Sequence, residues 1–105
     1  MNTNNTNNTA MPVGTILDST WGYDCTGVDY YEVIRSTAKT VWLRELKQKT
    51  VEQTGWGSWN VKPIPGEYAS DEVLRRRIDR YGTVKIADRQ HASIWDGKAN
   101  YTSID

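Results

Sequence analysis

Apolar and polar residues alternate with a period of two along much of this chain, and that period predicts strands rather than helices. The clearest case is Val28 to Ser36 (VDYYEVIRS), where Val28, Tyr30, Glu32 and Ile34 fall on one face and Asp29, Tyr31, Val33 and Arg35 on the other. Upstream, Val13 to Leu17 (VGTIL) reads as a first strand ending at the turn-rich Asp18-Ser19-Thr20. Trp21-Gly22-Tyr23 then closes an extended stretch and Asp24 to Gly27 turns the chain, with Gly22 and Gly27 permitting backbone angles that a side chain would oppose.

Beyond the aromatic strand, Thr37-Ala38-Lys39 is a short turn. Thr40 to Gln53 is one long strand, bulged near Glu45-Leu46 where the alternation slips. Thr54 to Trp59 (TGWGSW) forms a hairpin tip, and Asn60 to Ile64 a short strand. Pro63 suits an edge, because proline donates nothing to a ladder, and Pro65-Gly66 is a turn. Asp71 to Arg80 reads two ways: Ser70 resembles a helix start, whereas Leu74, Arg76 and Ile78 alternate as in a strand. Thr83 to Ala87 and Ser93 to Trp95 are strands, Asp96-Gly97 is a tight turn, and Asn100 to Ile104 returns as a last strand.

Many short strands at close spacing predict an all-β domain: a small antiparallel SH3-like barrel with a C-terminal hairpin, and a short helix near 71–80 as the alternative for that segment. The domain spans 12–105. Residues 1–11 form an Asn/Thr-rich tail too poor in apolar side chains to offset its ordering entropy, so it is expected to be disordered.

Composition sharpens the picture at one point. The chain has 105 residues and no Phe, so five Trp and six Tyr must supply the bulky packing, each bringing a polar group that needs a partner. Charge is balanced, with 13 basic and 13 acidic side chains, so any affinity for a polyanion must come from a local patch. A single cysteine rules out an internal disulfide. No apolar run approaches membrane-spanning length and no secretory leader pattern opens the chain, so a soluble protein of the cytoplasm is expected, with no membrane partner.

The stretch WGYDCTGVDYYEV, then VWLREL, LRRRI and VKIADRQHASIWDGKANYTS, resembles a family of small uncharacterised proteins of bacteriophages and mobile elements. The matching positions are Trp21, Gly22, Tyr23, Asp24, Thr26, Tyr30, Tyr31, Arg75, Arg76, Trp95, Asp96, Gly97, Lys98 and Tyr101, and the resemblance covers Val13 to Ser103. It departs at Cys25, where the pattern has Gln, and at Gly27, where it has Asn. The resemblance implies no established activity. It implies a phage setting, in which small non-enzymatic proteins bind host complexes, anti-CRISPR and other anti-defence proteins among them.

Catalytic chemistry finds little support. Cys25 with Asp24 and His91 is the one arrangement for nucleophilic catalysis, but nothing nearby lowers the thiol's pKa and Asp24 raises it. Asp24, Asp29, Glu32 and Glu45 offer carboxylate pairs for acid–base work without a deep cleft to hold a substrate. One Cys and one His cannot seed a zinc site, and Asp24 and Asp29 lack calcium-loop spacing. GWGSW lacks the lysine and helix of a P-loop. The expectation is a non-enzymatic protein without metal or cofactor.

Binding chemistry is better represented. Arg75, Arg76, Arg77, Arg80, Lys85 and Arg89 are opposed only by Asp79 and Asp88 within their stretch. On a strand, Arg75 and Arg77 share one face and Arg76 takes the other. Exposed Trp, Tyr and Arg concentrate at protein-binding hot spots, so Arg75, Arg76, Arg77, Arg80, Trp56, Trp59 and Tyr31 are the expected contacts for a host protein or nucleoprotein such as a CRISPR effector. Trp59 also reads as a lid on one end of the barrel. The alternative partner is nucleic acid, bound by Arg75, Arg77, Lys85 and Arg89 with Tyr81 and Trp95 as stacking platforms. Against both stands a solvated face of cross-strand Arg–carboxylate pairs.

Overall fold

The computed structural model describes residues 10–22 and 26–104. Among them there is no helix, and eight antiparallel strands form one sheet: β1 (Ile16–Gly22), β2 (Thr26–Ser36), β3 (Thr40–Gly55), β4 (Ser58–Tyr68), β5 (Leu74–Arg77), β6 (Val84–Ala87), β7 (Gln90–Ile94) and β8 (Asn100–Ser103). The all-β, antiparallel class follows from the alternating pattern as expected.

The sheet closes through two circuits of pairing that share β2 and β3. One runs β2–β3–β4–β8 and returns to β2 through Thr26↔Ser103. The other runs β5–β3–β2–β1–β7–β6 and returns to β5 through the bridge Ile78↔Val84. β8 does not return onto β7; it enters between β4 and β2, and the C-terminal hairpin is β6–β7.

Two circuits make two cores, on opposite faces of β2 and β3. Leu17, Tyr31, Val33, Val41, Leu43, Val84, Ile86 and Ala92 fill the first, with Met11 fully buried among them. Val28, Tyr30, Leu46 and Val61 fill the second, against Ile16, Trp59, Tyr68 and Trp95. β2 is therefore apolar on both faces, as a strand between two packed layers must be.

Several boundaries move from their expected places. Met11 belongs to the core rather than to a tail ending at residue 11, and the rest of the expected disordered tail before Ala10 lies outside the described residues. Asp18-Ser19-Thr20 lie within β1, because pairing with β2 and β7 overrides their turn propensity. Pro65-Gly66 is a bulge inside β4 instead of a reversal: Leu46 pairs with Tyr68 while Gln48 pairs with Pro63. Pro63 lies past the end of the β8 pairing, which stops at Val61↔Asn100, so β4 is an edge on that side there, where a residue without an N–H is tolerated.

The 71–80 segment resolves as a strand rather than a short helix. Leu74–Arg77 pairs with Thr40–Leu43 of β3, so the ladder outweighs the helix-start signal at Ser70. Ser70 Oγ instead accepts the backbone N–H of Glu72 at 3.0 Å, a local turn.

Candidate partner-binding surface

On β3, odd-numbered residues Val41, Leu43 and Glu45 face the first core, and even-numbered Trp42, Arg44 and Leu46 face the side of the second. β4 covers that second face only as far as Tyr68, which lies opposite Leu46. The Arg44 guanidinium lies over the Tyr68 ring at 3.9 Å, and Arg44 is pinned by Ser70 O and by Asp71 at 3.1 Å. Beyond Arg44 the face is open.

The open part carries cations stacked on an aromatic ring. A register shift between Val33 and Arg35 sets Arg35 opposite Trp42, and Trp42 is in turn opposite Arg75. The guanidinium carbon of Arg35 is 4.6 Å from the Trp42 ring centroid and that of Arg75 is 5.6 Å. Arg77, opposite Thr40, continues the row on the same face. Among the described residues, Arg35, Arg75 and Arg77 form no ion pair. In place of cross-strand Arg–carboxylate pairs, Arg35 and Arg75 stack on Trp42, and their positive charges stay without an ion-pair partner among the described residues.

The row runs on to a cleft of about 570 Å³ lined by Ala38, Lys39, Arg77, Ile78, Asp79 and Arg80. Asp79 does not neutralise it through an ion pair. Its carboxylate accepts the backbone N–H groups of Tyr81 and Thr83 and the Thr83 hydroxyl, and these bonds, those from Thr83 first, hold its pKa below the usual carboxylate value. Arg80 lies 5.2 Å from the ring of Tyr81, which is 75% exposed.

No family model, curated protein or solved structure matches this chain. The surface therefore carries the functional reading by itself.

The structure divides the expected contacts. Arg75, Arg77, Arg80 and Tyr81 do meet on or beside one face. Arg76 takes the other face, as strand alternation requires, and its guanidinium donates to Arg75 O and Ile86 O. Tyr31, expected on an outer surface, is 6% exposed within the first core, so it is a core residue rather than a surface contact. Trp59 packs against the second core as a lid, while Trp56 at the β3–β4 tip is 86% exposed. From Thr40, opposite Arg77, to that tip is about 50 Å along the strand, so Trp56 and the arginine row are separate surfaces.

The nucleic-acid set is dispersed more widely. Lys85 pairs with Asp88 at 3.4 Å. Trp95 meets Tyr30 edge-on at 5.9 Å and its indole N–H donates to Lys98 O, so its ring is packing and not an open platform. Arg89 occupies the β6–β7 turn with a positive φ of 64°.

Neither Arg35 nor Trp42 is among the residues that the sequence singles out for binding. The available signal was their place in two predicted strands, but which residue faces which depends on the bulge after Val33. Of the residues considered for catalysis, Cys25 and Asp24 lie outside the described residues. Glu32 lies across the sheet from Asp29 and Glu45, its carboxylate 3.4 Å from the Gly66 N–H. Asp29 accepts from the Gln90 side chain at 3.2 Å. No set of three or more His, Cys, Asp or Glu among the described residues is placed to hold a metal ion. No helix among them is long and apolar enough to cross a membrane.

Proposed function

We propose that the protein is a non-enzymatic binding module that docks an anionic surface of a host protein or nucleoprotein through Arg35, Trp42, Arg75 and Arg77. In the phage setting implied by the sequence resemblance, it acts as an anti-defence inhibitor, with CRISPR-type effectors among its targets. One observation carries the docking surface: two guanidinium groups stack on Trp42 with no carboxylate between them. A preformed Arg–Trp–Arg row loses little side-chain freedom on binding and offers the residue types that dominate hot spots. Free nucleic acid is the weaker reading, because Lys85 and Trp95 are already engaged within the protein.

The test is affinity capture from host lysate, with and without nuclease. The partner is expected to survive nuclease, to be lost with an Arg35→Glu/Arg75→Glu/Arg77→Glu variant, and to be retained by Trp56→Ser. Undiminished capture by the triple variant would overturn the reading, and capture that vanishes with nuclease would transfer it to nucleic acid.

A further inference from the structure

The opposite face of β5 carries a different chemistry. Where Arg76 and Leu74 turn inward, a cleft of about 240 Å³ opens at the mouth of the first core, lined also by Tyr31, Glu45, Ser70, Glu72 and Ile86. Tyr31 and Glu45 are directly opposite each other across β2 and β3, so register alone brings the hydroxyl-bearing ring and the carboxylate to one place.

What distinguishes the cleft is how many of its polar groups lack partners. Tyr31 is 6% exposed, yet its hydroxyl makes no hydrogen bond among the described residues, whereas the adjacent Tyr30 hydroxyl accepts from Asn100 and donates to Val61 O. The ring is buried but the hydroxyl is not sealed off, since Ser19 Oγ is the only fully buried side-chain oxygen without a partner among the described residues, so the Tyr31 hydroxyl is reachable from the cleft it lines. The carboxylates of Glu45 and Glu72 likewise form no hydrogen bond or ion pair among the described residues. Arg76 does not neutralise them at contact distance; its guanidinium is held by two backbone carbonyls.

Burial, with the charges of Asp29 and Glu72, raises the Glu45 pKa. Burial, then Asp29 and Glu45, pushes Tyr31 up to about 12, with Arg76 acting the other way. Both shifts report a site where negative charge is in excess and Glu45 is partly desolvated, with Glu72 exposed at the rim, a balance that a cation would relieve.

We infer that this cleft binds a primary ammonium group, held by the Tyr31 hydroxyl and the carboxylates of Glu45 and Glu72. An ammonium has three donors and no acceptor, which matches three unpartnered oxygen groups. A metal ion fits less well, since the described acids do not gather into a metal-holding set. The ammonium can come from a free small amine or from a lysine side chain of a protein. The site is independent of the arginine row, which lies on the other face of the sheet.

The experiment is an amide NMR titration of the full chain with n-butylammonium at neutral pH, with 1-butanol as the uncharged control. Saturable shifts at Tyr31, Glu45 and Arg76 in the millimolar range are expected for the amine and none for the alcohol. Glu45→Gln should weaken binding about tenfold or more, and Tyr31→Phe about threefold, with the folded spectrum retained. Trp56→Ser, at the distant β3–β4 tip, should leave it unchanged. N-acetyl-lysine methylamide binding more tightly than butylammonium assigns the site to a protein side chain, and equal or weaker binding assigns it to a small amine. Equal binding of the alcohol, absence of saturable shifts, or an affinity indifferent to both Glu45→Gln and Tyr31→Phe would overturn the proposal.

Discussion

Tyr30 and Tyr31 are neighbours in β2 that enter different cores, and of the two only Tyr30 hydrogen-bonds its hydroxyl to the described residues. Tyr30 is tied to β4 through Val61 O at 3.2 Å and to β8 through Asn100 at 2.8 Å, which helps close the β2–β3–β4–β8 circuit. Tyr30→Phe should therefore cost about 1–2 kcal/mol, because Val61 O is left buried without its donor. Tyr31→Phe removes a hydroxyl that bonds nothing in the protein and should leave stability unchanged or slightly higher. Paired urea denaturations of the two variants check this contrast.

Gly27 lies opposite Trp21 in the β1–β2 ladder, and the indole ring lies across it. A Cβ at position 27 would collide with the Trp21 ring. The glycine is thus required by a close approach, and it is not among the residues with a left-handed backbone angle. Since Trp21 is 45% exposed, Gly27→Ala should push the ring outward rather than unfold the chain. The expected result is a loss of about 1 kcal/mol and a red-shifted tryptophan emission.

Burial, Asp29 and Glu72 raise the Glu45 pKa above its unfolded value, so the charged form is disfavoured in the fold. That penalty is present at pH above the folded pKa and disappears below the unfolded one. Glu45→Gln should accordingly raise the urea midpoint near pH 7, and the advantage should shrink toward zero at pH ~4 and below, around the ordinary glutamate value.

Asp79 has the opposite sign. Its pKa is lowered, chiefly by the Thr83 hydroxyl, so its contribution is present above the unfolded value and is lost as pH falls through the folded one. Asp79→Ala should strip hydrogen-exchange protection from the Tyr81 and Thr83 amides at neutral pH, since both donate to its carboxylate. The difference from the native chain should fade in acid, once Asp79 itself is protonated.

Local pattern alone determined the all-β class, the turn at 37–39, the long β3 with its hairpin tip, and the division of Arg75 and Arg77 from Arg76, because side-chain alternation is a property of each strand by itself. The 71–80 segment shows the limit: a helix-start signal and an alternating pattern coexisted there, and only the β3 edge available to Leu74–Arg77 decided between them. Tyr31 shows it again, since an alternating strand with one face outward and one with both faces buried look alike until the second layer is known. Which side chains meet was decided by tertiary structure, through pairings distant in sequence and bulges that shift register. The bulge after Val33 brings Arg35 over Trp42, and strand order puts Arg75 opposite Trp42 on the strand that flanks β3 from the other side. Neither relationship has a counterpart in the linear spacing of those residues.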